Sequence, residues 1–357
     1  MARKARNKSI DPGKIQIVHV WNRCVRRAYL CGFDRATGKS FDHRKQWAQD
    51  RLKHLASIFA IDCITYSIMS NHTHQVLRSR PDIVAQWNDR EVAIRWLKIT
   101  PSKDKNGRPR EPRESAIQCV LNEPGKVKQL REQLSDVSWW MKCFSQHIAT
   151  RSNREDEVTG HFWEARFGSE VIESETSLLN CMIYVDLNPI RAGVAETPEE
   201  SDFTGAKDRI DDLRISLGTT DLGDHVLTFH TEKHSLHDWE RLDNEHSGWL
   251  SPIEIDELND PLGADVDSSK RRASQKGVLA LSLAHYLRIL DWVGREVRSD
   301  KRGAIPKELK PILQRLGFSR RSILASLRNF GRPDLHRTPP VCDNGSLSWL
   351  SPIGISG

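Results

Sequence analysis

The chain has 357 residues, 38% of them hydrophobic, which is enough for a buried core and, on length, for two domains. Lys and Arg number 54 against 48 Asp and Glu, a formal +6, and no apolar run approaches the roughly 18–20 residues a membrane span needs. Seven Cys without a C-x-x-C pair make neither a disulfide framework nor a zinc ribbon, and no apolar stretch follows the basic N-terminus as a secretory signal requires; a soluble, cytoplasmic protein with no membrane partner is expected.

The small net charge conceals large local ones. Residues 1–60 hold 14 Lys and Arg against 4 Asp and Glu, residues 200–265 hold 5 against 17, and residues 270–337 hold 17 against 5. A basic–acidic–basic order suggests separate surfaces, with the basic ones suited to a polyanion or simply to solvent.

In chain order, Ile15–Asn22 alternates with β-branched residues and predicts a strand that the basic stretch Arg23–Leu30 could continue. Trp47, Leu52, Leu55, Ala56 and Phe59 give a helical spacing over 43–60. Strands over 61–69 and 72–78 follow, joined at Ser70–Asn71 as a hairpin. Helical patterns over 83–99 and 126–150 flank a breaker-rich polar insertion near 100–125. Residues 160–173 read as loop and strand, and 175–187 as a helix halted near Asn188–Pro189. Residues 1–199 thus make one α+β unit, 200–265 an acidic linker or irregular region, and 266–357 a basic, mainly helical module with helices over 278–293 and 306–330. Within the last, 318–330 reads as a basic amphipathic helix suited to a duplex or hairpin stem, to self-association or to packing on the core. The pentapeptide Trp249–Ile253 is echoed at Trp349–Ile353.

Two local patterns carry chemistry. In a strand, residues two apart project from one face, so His72 and His74 would present two imidazoles side by side, as metal ligands or as ordinary surface histidines. On a helix, Tyr184 and Asn188 share a face, either facing a site or serving as a core-edge tyrosine and a capping carboxamide. No H-E-x-x-H motif supports a metal hydrolase.

Taken together, Met69-Ser-Asn-His-Thr-His74, Gly160-His-Phe-Trp-Glu-Ala-Arg-Phe167 and Tyr184-x-x-x-Asn188-Pro-x-Arg-Ala-Gly193 resemble the IS200-like transposases. The closer resemblance is to the REP-associated tyrosine transposase branch of the HUH single-stranded DNA nucleases, over residues 15–195. It implies a ferredoxin-like α+β fold: a small antiparallel sheet with helices packed on it, the histidine strand central and the tyrosine helix across it. It also implies a metal-dependent single-stranded DNA endonuclease and strand transferase. His72, His74 and Asn188 would hold Mg²⁺ or Mn²⁺, and Tyr184 would form a 5′-phosphotyrosyl intermediate at hairpin-forming DNA. Asn22, Arg23, Arg26, Arg27, Arg166 and Arg191 become candidates for phosphate contact, the first four at the sheet edge, against a solvated role for each. Phe162 and Trp163 would stack bases or fill the core. Thr73 departs from the bulky apolar residue the family places between its histidines. A non-catalytic DNA-binding protein retaining the fold is the alternative, and the sequence leaves open both a site built within one chain and one shared across a homodimer.

Overall fold

The computed structural model describes residues 10–25, 30–34, 38–106, 108–216, 248–255 and 271–316. Four strands form one antiparallel sheet: β1 (Ile17–Arg23), β2 (Ile61–Ile68), β3 (His72–Ser79) and β4 (Gly168–Ile172), in the spatial order β2-β3-β1-β4. With the helices between them they read β-α-β-β-α-β along the chain. The α+β expectation holds, with helices on both faces of the sheet. β1 lies inside the sheet, paired with both β3 and β4, so Asn22 and Arg23 at its end do not sit on an edge strand.

Alternation sorts the side chains onto two faces. Val18, Val20 and Leu77 share a core with Leu52 and Leu55 of α1 (His43–Ala56) and with Trp140, Phe144 and Ile148 of α6 (Val137–Glu155). On the other face Ile64 and Val76 pack with Leu178 and Met182 of α7 (Glu175–Asp186), Ile210 of α9 (Gly205–Ser216), and Leu287 and Leu290 of α10 (Leu283–Gly294). Cover on both faces explains why every residue of β2 is buried, where a half-exposed strand would alternate.

Several elements differ from the sequence expectation. The helix expected over 83–99 is two, α2 (Pro81–Gln86) and α3 (Asp89–Lys98), because Asn88 caps a new start by accepting from the Glu91 amide. The one expected over 126–150 is likewise split into α5 (Lys126–Gln133) and α6, with Asp136 accepting from the Ser138 amide. The polar insertion contains α4 (Glu114–Asn122). Strand β1 stops at Arg23 rather than running on toward Leu30, and Cys24 makes only an isolated bridge to Trp163.

The stretch expected to be an acidic linker or irregular region is corrected over its described part. Residues 205–216 form α9, whose Ala206 and Ile210 are fully buried against the sheet layer. Arg209 of α9 donates to the carbonyls of Ile64 and Ser251. In the first pentapeptide copy Trp249 and Ile253 are buried, while Trp349–Ile353 lies outside the described residues. Farther on, Arg78 of β3 bonds Asp62 of β2 and the carbonyls of Lys276 and Gly277. The short α11 (Ile312–Arg315) occupies part of the second expected C-terminal helix, and the basic helix expected over 318–330 lies outside the described residues. No described helix is long and apolar enough to cross a membrane.

Candidate active site

β3 carries His72 and His74 toward the face covered by α7, while Thr73 and Gln75 between and beyond them point into the α6 core. Gln75 Oε1 accepts from Trp140 Nε1 at 2.8 Å, so this glutamine belongs to the core and not to the histidine face. Thr73, where the resembling family has a bulky apolar residue, is 1% exposed and its hydroxyl has no partner among the described residues.

Both histidines are held as neutral rings. Burial, then the Arg23 charge, pushes His72 down to about 4. Burial, with His19, His72 and Arg23 beside it, pushes His74 down to about 2. His72 Nδ1 meets Asn71 Oδ1 at 2.7 Å. An amide oxygen only accepts, so Nδ1 carries the proton and the Nε2 lone pair is left for a ligand.

Sequence reasoning missed a third histidine. His19 of β1 is 8% exposed, and its Nε2 lies 2.9 Å from His74 Nδ1. Burial lowers His19 to about 4, so it too is neutral at pH 7. The signal was present, since His19, Trp21 and Arg23 share a face of β1 by period two; the register that sets Trp21 opposite His74 and Arg23 opposite His72 was not. Trp21 also covers Gly168 so closely that a Cβ there would lie 2.2 Å from the indole.

Tyr184 arrives on α7, whose start is capped by Ser174 accepting from the Ser177 amide. Its neighbours Met182, Ile183 and Val185 are buried, whereas Tyr184 is 48% exposed. Its ring stands edge-on to His74 at 5.5 Å between centroids, and to His19 at 6.3 Å. Asp186, fully buried two residues on, anchors this helix: it accepts from Thr65 Oγ1 at 2.6 Å, from the Ala206 amide at 3.1 Å, and from the Tyr286 hydroxyl. Burial raises the Asp186 carboxyl above the usual aspartate range.

Asn188 does not cap α7. It begins the one-turn helix α8 (Asn188–Arg191), with Pro189 in the first turn, where its missing N–H leaves no bond unmade. Asn188 is half-buried, four residues beyond Tyr184, and its carboxamide makes no hydrogen bond among the described residues. No group of three His, Cys, Asp or Glu side chains among the described residues is arranged to hold a metal ion. The donors whose proximity is shown are the two neutral imidazoles of His72 and His74, their ring centroids 5.1 Å apart, and Glu170 of β4 lies opposite His19 in register on the same face of the sheet.

The expected phosphate contacts divide. Arg23 and Arg166 are exposed and make no ion pair among the described residues, and Arg23 sits beside His72 in register. Asn22 is 3% exposed and donates to Ser145 Oγ at 2.6 Å, so it ties β1 to α6 on the opposite face. Arg191 donates to the carbonyls of Val293 at 2.8 Å and Glu296 at 2.6 Å, holding the end of α10 rather than a ligand. Arg26 and Arg27 lie outside the described residues. Phe162 is buried and Trp163 Nε1 donates to the Ser145 carbonyl, so both serve the core.

Neither a protein-family model nor a curated protein matches the chain. Among solved structures it is distantly similar to a REP-associated tyrosine transposase bound to a REP hairpin, at 11% identity and a TM-score of 0.33, over 62% of this chain and 88% of that one.

Proposed function

We propose that this chain is a single-stranded DNA endonuclease and strand transferase acting at hairpin-forming elements, with Tyr184 as its nucleophile. One observation carries the reading: a half-exposed tyrosine on a helix anchored from beneath stands 5.5 Å, ring to ring, from the buried, neutral His74, whose ring in turn lies 5.1 Å from that of half-buried, neutral His72 on the same strand. The β-α-β-β-α-β order supports the ferredoxin-like class expected of such a protein.

In the proposed reaction Tyr184 Oη attacks the scissile phosphorus and the P–O3′ bond breaks. The 5′-side fragment leaves with a free 3′-OH, and the 3′-side fragment remains as a 5′-phosphotyrosyl ester. The phenol proton passes to water, to which Tyr184 is open. A divalent cation, Mg²⁺ or Mn²⁺, held by His72 and His74 with Asn188 as a third donor, would polarise the scissile phosphate as a Lewis acid. His19 orients His74 for that task, and Arg23 and Arg166 supply positive charge for the strand. Attack by a different 3′-OH reverses the step and joins a new strand without ATP, because a phenolate leaves far more readily than an alkoxide.

Cleavage of a single-stranded hairpin oligonucleotide in Mn²⁺ tests the reading. The wild type cleaves, and Tyr184→Phe and EDTA each abolish cleavage. Tight hairpin binding without cleavage by the wild type under all metal conditions would favour a non-catalytic DNA-binding protein.

A further inference from the structure

On the side of the sheet away from Tyr184, α1, α6 and the segment after α3 line an open cavity of about 530 Å³. Arg51 of α1, Lys103, and His147, Arg151 and Arg154 of α6 line it, and no Asp or Glu does. Arg51 is 7% exposed and donates only to backbone carbonyls, Ile99 at 2.8 Å and Cys143 at 3.3 and 3.4 Å. Three other deeply buried arginines meet carboxylates: Arg44 meets Glu155 and Asp156, Arg78 meets Asp62, and Arg80 meets Asp62 and Asp82. Arg209, like Arg51, donates only to carbonyls, but it lines no cavity among those described. A buried guanidinium without a counter-ion is costly, and an anion in the cavity would remove that cost.

The surroundings agree. Arg151 lies 3.8 Å over the Trp47 ring, held in place without a carboxylate. Burial, followed by the charges of Arg51, Arg151, His54 and Lys103, pushes His147 down to about 4. Four cations around one pocket call for a multiply charged anion, which a single carboxylate is not, and guanidinium forks match phosphate oxygens. The volume falls in the range that small ligands fill.

We propose that this cavity binds phosphate groups, with Arg51 at its floor and Lys103, Arg151 and Arg154 at its mouth. The site is independent of the tyrosine chemistry, and its phosphates come either from a nucleic-acid backbone or from a free nucleotide.

Calorimetric titration of the full chain with inorganic tripolyphosphate at low salt tests this. The wild type binds one equivalent, and the exposed double variant Lys103→Ala/Arg154→Ala binds at least tenfold more weakly with unchanged thermal unfolding. A control that removes the same charge elsewhere, Lys39→Ala/Lys128→Ala, retains wild-type affinity. Absence of saturable binding, or equal loss in both double variants, would overturn the proposal. Displacement of tripolyphosphate from the wild type by a dT oligonucleotide upholds the site and assigns it to the DNA backbone. Displacement by a nucleoside triphosphate but not by the oligonucleotide upholds it and assigns it to a free nucleotide.

Discussion

His19 Nε2 and His74 Nδ1 lie 2.9 Å apart across the β1–β3 pair, both rings buried and neutral. Two neutral imidazoles in contact share one proton, so when His74 Nδ1 donates, His19 accepts and His74 Nε2 is left with its lone pair. Partners of this kind fix the tautomer and aim of a metal-binding histidine.

His19→Ala is therefore expected to lower DNA cleavage about 10- to 100-fold and to raise the Mn²⁺ concentration needed for half-maximal rate. His19→Gln, which keeps an acceptor at this position, should recover part of the loss. A rate defect that Mn²⁺ concentration leaves unchanged would assign His19 to packing alone.

Arg191 and Arg23 should separate cleanly. Arg191→Ala removes charge-assisted bonds to the end of α10, so it should destabilise the fold by about 1–3 kcal/mol and leave the salt dependence of DNA binding intact. Arg23→Ala should leave the melting temperature unchanged and lower the slope of log K against log salt by about 0.7, the share of one single-strand phosphate contact. Denaturant titrations and salt-dependent binding measure both, and a reversed pattern would restore Arg191 as a DNA contact.

Asp208 of α9 gives the fold a pH signature. Burial pushes its carboxyl up to about 6, although Tyr66, Trp249 and Gln49 all donate to it. An acid raised on folding binds its proton more tightly in the native state. Its contribution is present below the ordinary aspartate range and is lost as pH rises through about 6. The lost stability is about 3 kcal/mol. Unfolding free energies of the wild type minus those of Asp208→Asn should fall by up to that amount between pH 4 and pH 7.5. A flat or rising difference would contradict the burial argument.

Much of the sheet was legible because alternation fixes which residues share a face, and His72, His74 and Tyr184 do meet on one side of it. What local sequence does not contain is register across the sheet. His19 and His74 are 55 residues apart, and only the β1–β3 pairing makes them neighbours. The helix breaks at Asn88 and Asp136 carried cap residues, but the apolar periodicity on either side masked them. Helix α9 escaped notice because its buried side offers little more than Ala206 and Ile210 among charges that resemble a solvated linker. Arg191 illustrates the opposite error: nearness to Tyr184 in sequence suggested a phosphate, while packing of α10 against α8 claimed the guanidinium.

The most direct measurement uses a single-stranded hairpin oligonucleotide labelled separately at its 5′ and 3′ ends, incubated with protein and Mn²⁺ and resolved on a denaturing gel. The account predicts an SDS-resistant protein–DNA band that carries only the 3′ label and is absent with Tyr184→Phe. A covalent band that persists in Tyr184→Phe, or one that carries the 5′ label, would contradict it.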